Sequence, residues 1–431
     1  MTDDVRIPAD LILVGGQWRV GGGQTFTPIN PIDGSRLGIL HGASPQDVAD
    51  AAAAGLRTAS DPAWRDLLPH QRAGHLYRIA DAVEARADHL ATLQTLNTGK
   101  TLTETRALVA SAVGTFRYFG ACAETFDEDL TAQRGPYLTM SVQEPIGVIG
   151  AINAWNSPVA SDAQKIAPAL AAGNAVVLKP AEWTPWVSLE LGRIIVDSGL
   201  PAGLLSILPG KGSIVGAAIM ADPAVGKVVF TGGTATGRRL AVQAAERLMP
   251  ISLELGGKSP TIVFDDCDVD EAVAGVLFGI FSSSGQSCIA GSRLFVQRGL
   301  YASFLERLVA ATKALRLGDG MSPDTQVGPL VHPKHRDTVA AFVDRAKADG
   351  GTIECGGRAP DDDRLAAGSF YEPTVITGLD NSSPVAREEI FGPVLIVMPF
   401  DDEDDLLTQA NDSVYGLASG VWTRDFKKAW R

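Results

Sequence analysis

The sequence predicts an α/β protein with a doubly wound parallel sheet in a first lobe, a second α/β lobe after it, and a small extended arm. Three observations lead there. From Gly147 to Glu254 the runs GVIGAI, AVVL, LLSIL, KVVF and ISLEL alternate with helical patterns. Apolar runs without polar alternation are strands buried on both faces, and right-handed crossovers make such a sheet doubly wound. After Glu254 a second alternating series begins, the pattern of another α/β layer set. Finally, 431 residues exceed what one core usually serves. The predicted boundaries are residues 1–126 with 146–256 for the first lobe, 127–145 for the arm and 257–431 for the second lobe.

Taken in order, Ser44 and Asp47 read as an N-cap with its acidic N3 partner, opening an Ala-rich helix. Apolar residues then recur at helical spacing over 71–96, up to Asn97 and Gly99, and again over 102–125. Short alternation in YLTMSVQEP, residues 137–145, suggests an extended arm or a hairpin between helical layers. In the second lobe the patterns predict strands at 261–264, 293–296 and 394–400 and helices at 269–283 and 302–315. Residues 361–368 read as a surface loop, and no internal repeat is present.

Composition narrows the function classes. A net charge of −13 opposes binding to nucleic acid or an anionic membrane, which need basic surfaces. The N-terminus MTDDVRIPAD has no basic region followed by an apolar run, and the most apolar stretches are short and broken by residues such as Gly173 and Asn174. The expectation is therefore a cytoplasmic protein with no membrane span. Cys122, Cys267, Cys288 and Cys355 show neither CxxC spacing nor a metal-ligand pattern with histidine, so reduced thiols and no metal are expected.

Several residues could carry chemistry. Phe230, Thr231, Gly232, Gly233 and Gly237 follow a strand and open a helix, where backbone N–H groups and the helix dipole can receive a pyrophosphate. By itself a glycine pair there is more often a plain turn. Lys179, Pro180 and Glu182 follow the strand AVVL, at the edge where open α/β sheets bind ligands. They could grip ribose hydroxyls, with the carboxylate repelling a 2′-phosphate, or form a solvated loop pair. Cys288 lies in SSSGQSCIAGSR, whose small neighbours leave a thiol accessible, although most cysteines are buried and inert. Glu254 in LELGGKSP is an acid in an apolar strand, expected to be partly desolvated and so suited either to general base work near neutral pH or to a structural ion pair. Asn156 in NAWNSPV could donate to an oxyanion or simply form a turn. Glu389 and Phe391 in EEIFGPV are, taken alone, a turn before a strand.

Together EPIGVIGAINAWNSPV, VVLKPAEWTP, FTGGTATG, LELGGKSP, GQSC, EEIFGPV and ANDSVYGLASGVWT resemble the aldehyde dehydrogenase superfamily, in order and over nearly the whole chain. The resemblance implies NAD-dependent oxidation of a small-molecule aldehyde to an acid. Cys288 would be the nucleophile, Asn156 and the Cys288 N–H the oxyanion donors, and Glu254 the base that activates water against the thioester. Lys179 and Glu182 would hold the adenine ribose, favouring NAD over NADP. Gly232 and Gly233 would lie near the pyrophosphate, and Glu389 and Phe391 would position the nicotinamide half. The first lobe becomes the NAD-binding domain, 257–431 the catalytic domain and 127–145 an oligomerisation hairpin of a homodimer or homotetramer.

The chain departs from the family pattern in several places. Ala154 stands where proline is common and Ser157 where an aromatic is common, leaving room for a larger substrate such as an aryl aldehyde or a semialdehyde. Gly233 replaces a frequent serine, which a backbone-based phosphate site should tolerate. The chain stops at Arg431, where family members continue into a tail that closes the substrate tunnel and pairs with the hairpin. The expectation is an unpaired hairpin edge and weakened assembly. Two alternatives follow: a truncated, catalytically silent NAD-binding or scaffold protein, and a CoA-acylating enzyme using the same thioester.

Overall fold

Apolar β-branched runs with helices between them do form a doubly wound sheet. The computed structural model describes residues 10–133 and 135–431. Residues 1–9 of the expected first lobe and residue 134 of the expected arm lie outside the described residues. The chain divides into two compact units, residues 10–28, 36–97 and 105–254 forming the first, and 29–35, 98–104 and 255–431 the second.

The first unit contains β1 (Ile12–Val14), β2 (Gln17–Arg19), β3 (Thr25–Phe26), β4 (Leu40–His41), β5 (Val148–Ile152), β6 (Ala175–Lys179), β7 (Leu205–Ile207), β8 (Val225–Thr231) and β9 (Ile251–Glu254). Its main sheet runs β2-β1-β7-β6-β5-β8-β9, and β3 pairs with β4 separately. All pairs from β7 to β9 are parallel. The chain winds from β5 out to β7 and then restarts at β8 on the other side of β5, so the order reverses between β5 and β8. That is where open α/β sheets leave a crevice for ligands. Every residue of β5, β6 and β7 is buried, which explains their lack of polar alternation.

The sequence reading did not anticipate β1 and β2, an antiparallel hairpin added to β7. Their turn is Gly15–Gly16, with φ of 56° and 83°, the left-handed pair that a two-residue type I′ turn requires. The Ser44 cap forms as expected: Ser44 Oγ accepts from the Asp47 N–H at 3.2 Å, and Asp47 Oδ2 accepts from the Ser44 N–H at 2.8 Å. The helix expected over 71–96 is two helices, Pro69–Glu84 and Ala87–Thr98. Between them the Arg86 N–H bonds the Val83 carbonyl, a tightened turn that leaves the apolar spacing unbroken. In the arm, Leu130 bridges Met140 in antiparallel fashion and the Ser141 N–H donates to the Asp129 carbonyl at 2.9 Å.

The second unit holds β10 (Pro260–Val263), β11 (Arg293–Gln297), β12 (Thr352–Cys355), β13 (Thr374–Thr377), β14 (Val394–Phe400) and β15 (Gly420–Trp422) in the order β12-β13-β14-β11-β10-β15. Only β12 pairs antiparallel. Successive residues of β11 and β14 alternate between two cores: Phe295 and Ile396 on one face, Leu294, Val296, Leu395 and Val397 on the other. Both faces are thus buried, by helices such as Val269–Phe281, Arg298–Lys313 and Pro333–Ala348. Cys355, next to the glycine pair Gly356–Gly357 in sequence, ends β12 and is buried. Four residues on an outer strand are too few for a period of two to show. Among the described residues no helix is long and apolar enough to cross a membrane.

Candidate active site

At the carboxyl ends of β5, β6 and β8 the first unit opens a cavity of about 410 Å³, lined in part by Asn153, Trp155, Lys179, Glu182, Phe230, Gly232 and Gly233. The four cofactor residues expected from this stretch therefore meet in one place. Lys179 is buried and Nζ donates to the Pro180 carbonyl at 3.0 Å. Burial lowers its pKa to about 8, opposed by the Glu182 carboxylate. Glu182 Oε1 accepts from the Gly212 N–H at 3.0 Å, which orients the carboxylate at the rim. Gly233 caps the helix Thr234–Glu246 without any side-chain hydrogen bond, and the buried Thr234 Oγ1 also lacks a partner among the described residues. Free N–H groups at a helix start suit an anion. A Cβ on Gly233 would meet nothing within 4 Å, whereas one on Gly232 would come 2.5 Å from the Phe230 ring.

Asn156 lies between β5 and the helix Pro158–Ala171 and is half-buried. The loop is tied down at both ends. The Asn153 N–H donates to the Lys179 carbonyl at 3.0 Å, Asn153 Nδ2 to Asp162 Oδ1 at 2.5 Å, and the Val159 N–H to Gln94 Oε1 at 3.1 Å. Glu254 ends β9, and its carbonyl accepts from the Gly232 N–H at 3.0 Å. Its side chain is exposed, which corrects the expectation of partial desolvation. The outermost strand β9 is only half-covered along its length, so its terminal acid faces water.

Sequence reasoning missed Lys165. It is buried in the helix Pro158–Ala171 and donates to Thr231 Oγ1 at 2.7 Å. Burial lowers its pKa to about 8, while Asp162 and Glu254 act in the opposite direction. A lysine in an Ala-rich helix at the ligand edge of a sheet was the available signal.

In the second unit Cys288 is half-buried, whereas Cys267 and Cys355 are buried. Its carbonyl oxygen packs so tightly on Gly257 that a Cβ there would lie 2.3 Å from it. The Gly257 N–H donates to Glu389 Oε1 at 3.1 Å, and a Cβ on Gly256 would sit 2.1 Å from Glu389 Oε2. The glycine pair of LELGGKSP is therefore a seat for Glu389 on one side and for the Cys288 segment on the other. Glu389 is pushed up by burial, opposed by the Gly257 N–H and by Lys258. Phe391 has φ 58°, and its carbonyl lies 2.7 Å from His335 Nε2. The expected helix 269–283 stops at Phe281, because Ser283 and Ser284 have φ of 55°, a conformation that costs a residue with a side chain about 1–2 kcal/mol.

Lys258 was also missed. It is buried, Nζ makes no hydrogen bond among the described residues, and its pKa is lowered to about 7 by burial and then by Arg293, with Glu389 and Glu388 opposing. Among the described residues no cluster of His, Cys, Asp or Glu could hold a metal ion.

A sequence model of the aldehyde dehydrogenase family matches residues 18–431. A betaine aldehyde dehydrogenase of Mesorhizobium japonicum is 42% identical over 410 residues, covering 95% of this chain and 83% of the relative. Among solved structures, the betaine aldehyde dehydrogenase of Staphylococcus aureus in complex with NAD+ superimposes with a TM-score of 0.96 at 37% identity, over 98% of this chain and 84% of that one. The NAD+ complex of an aldehyde dehydrogenase from Bacillus cereus gives 0.95 at 35%, over 97% and 85%.

Proposed function

This chain belongs to the aldehyde dehydrogenase family, and on that premise we propose that Cys288, Asn156 and Glu254 carry out NAD-dependent oxidation of an aldehyde to a carboxylic acid. The observation that carries the reading is the seating of Cys288. Its thiol is half-exposed, while its backbone is wedged against Gly257 beside Glu389.

The cavity of the first unit fits NAD by the chemistry of its donors: an uncapped helix start for the pyrophosphate, with Gly232 and Gly233 beside it, and a cation and a carboxylate, Lys179 and Glu182, for the adenine ribose. Glu389 and Phe391 are assigned to the nicotinamide half. The first unit is then the NAD-binding domain, the second the catalytic domain and 127–145 the assembly arm.

Attack of the Cys288 thiolate on the carbonyl carbon forms a C–S bond and places negative charge on oxygen, which the Asn156 amide and the Cys288 N–H stabilise. When bound, NAD supplies the acceptor for the hydride that leaves this adduct, which thereby becomes a thioester. Glu254, exposed and able to reach solvent, takes a proton from the water that attacks the thioester. The C–S bond breaks, the acid leaves and the thiolate is restored.

Ser157 removes an aromatic face from the residue after Asn156. A quaternary ammonium is recognised through such faces, so an aryl aldehyde or a semialdehyde is the better candidate than betaine aldehyde. The test is NADH production by wild type and Cys288→Ala with a panel spanning betaine, aryl, short aliphatic and semialdehyde substrates. Turnover that survives Cys288→Ala sinks the mechanism, and a specificity constant highest for betaine aldehyde sinks the substrate assignment.

The arm exposes Leu130, Tyr137, Leu138, Met140 and Val142, each more than half accessible, which supports pairing with a second copy of the chain. A monomer by light scattering would refute it. Four free thiols support a reducing, cytoplasmic location.

A further inference from the structure

Three consecutive residues just ahead of the nucleophile segment are left-handed: Ser283 and Ser284 at φ 55° and Gly285 at φ 70°. Glycine takes this conformation freely and serine does not, so the surroundings must hold the turn in place. Gly285 is fixed by sterics, since a Cβ there would lie 2.0 Å from the Gly392 carbonyl oxygen. Ser284 Oγ donates to the Gly328 carbonyl at 2.7 Å. Gln286 bridges the turn to its neighbour, donating to the Ser283 carbonyl at 3.0 Å and accepting from the Val331 N–H at 2.9 Å.

The Ser283 N–H is taken by a residue 179 positions earlier, Glu104, whose Oε1 accepts it at 2.5 Å. A carboxylate acceptor makes this the strongest class of bond on the turn. Glu104 is itself held in one orientation. Oε2 accepts from the Thr101 N–H at 3.0 Å, and Thr101 Oγ1 accepts from the Glu104 N–H at 3.4 Å, a reciprocal capping box at the start of the helix Leu102–Thr125. One carboxylate thus bridges a helix terminus to the first residue of the left-handed turn.

We propose that Glu104 is a positioning residue for the nucleophile: by clamping the Ser283 N–H it holds the turn that aims the chain into Cys288. The inference rests on the reading of Cys288 as the nucleophile. What the turn needs is both reach and a carboxylate: one oxygen meets the Ser283 N–H while the other stays on the Thr101 N–H.

Three variants separate these. Glu104→Gln keeps one acceptor oxygen at the same reach but puts an NH2 donor where the second oxygen accepts from the Thr101 N–H, Glu104→Asp keeps the charge but shortens the side chain by one methylene, and Glu104→Ala removes the acceptor. The readouts are kcat with NAD and the best aldehyde, the rate of Cys288 alkylation by iodoacetamide as a function of pH, and NAD affinity by tryptophan fluorescence. The expected result is a fall in kcat of about 10- to 100-fold for Asp and Ala, with alkylation altered in parallel and NAD affinity within about threefold of wild type. Gln, able to keep the Ser283 bond but not the Thr101 one, should fall between wild type and Ala. Where Glu104→Ala does not fold, the Asp and Gln pair decides. Wild-type kcat and alkylation in Glu104→Asp or in a folded Glu104→Ala would overturn the proposal. Retained activity in Cys288→Ala would instead remove the nucleophile on which it rests, and so distinguishes the two failures.

Discussion

Gly257→Ala should cripple catalysis while leaving the cofactor cavity intact. The new Cβ would lie 2.3 Å from the Cys288 carbonyl oxygen, with the Leu417 Cβ already at 3.5 Å on another side. To restore ordinary contact at 3.4 Å the Cys288 carbonyl must retreat by about 1 Å. Neither partner is the far end of a flexible side chain, so the backbone moves. A displacement of about 1 Å at a reacting group costs on the order of 100-fold in rate, and the overpacking itself costs roughly 1–3 kcal/mol of stability. The assay is kcat/KM for NADH formation beside the rate of Cys288 alkylation, with NAD affinity as the internal control. Gly233→Ser is the matched comparison, because a Cβ there meets nothing within 4 Å, and it should stay within about threefold of wild type. A Gly257→Ala enzyme with kcat/KM within fivefold of wild type would refute the claim that this glycine seats the nucleophile.

The other predictions concern single groups. Glu254→Gln should still give a burst of NADH of about one equivalent per Cys288, followed by steady turnover at least ~100-fold slower; unchanged steady turnover in stopped-flow absorbance would exclude Glu254 as the base. Glu182→Ala should weaken NAD binding by roughly tenfold, one hydrogen bond to a charged group, and narrow any preference over NADP, both read by fluorescence titration; equal affinity to wild type would remove Glu182 from the ribose site. Lys258 has its pKa lowered from 10.5 to about 7, so between those values the unfolded chain binds a proton that the folded chain does not. Stability from this group therefore rises with pH across that window and is lowest below pH 7. The difference in unfolding free energy between wild type and Lys258→Met should change by about 1.4 kcal/mol per pH unit in denaturant melts between pH 7 and 9, and a flat difference would contradict a depressed lysine.

How much of this was legible in the sequence depended on whether a local pattern carried the information. The five parallel strands of the first unit were visible because burial on both faces forces continuous apolar runs, and β14 was placed to the residue for the same reason. The β1–β2 hairpin was missed although Gly15–Gly16 is the composition a two-residue turn demands; three-residue strands gave no period to attach it to. The break at Ala85–Arg86 could not be seen, since it keeps the helical spacing. Ser283 and Ser284 were hidden for a different reason. Serine has no left-handed preference, so their conformation is imposed by Glu104 and Gly328 from far along the chain. The exposure of Glu254 was misjudged because an apolar sequence does not say whether its strand is central or outermost.

Sterics explain why the two units use glycine differently. In the second unit a Cβ on Gly257 or Gly285 would run into backbone, the carbonyl oxygens of Cys288 and Gly392, and one on Gly256 would displace the Glu389 carboxylate. Segments far apart in sequence are thereby packed against the Cys288 backbone and its neighbours, and such rigidity suits a covalent step whose rate depends on approach within fractions of an ångström. In the first unit Gly233 faces open space, and the cavity there offers backbone N–H groups and two side chains. Binding by such groups depends on donors and charge more than on a single approach vector, so it can tolerate added atoms at the rim. On the proposed assignment, Gly257→Ala should therefore lose chemical competence while keeping cofactor affinity, and Gly233→Ser should keep both.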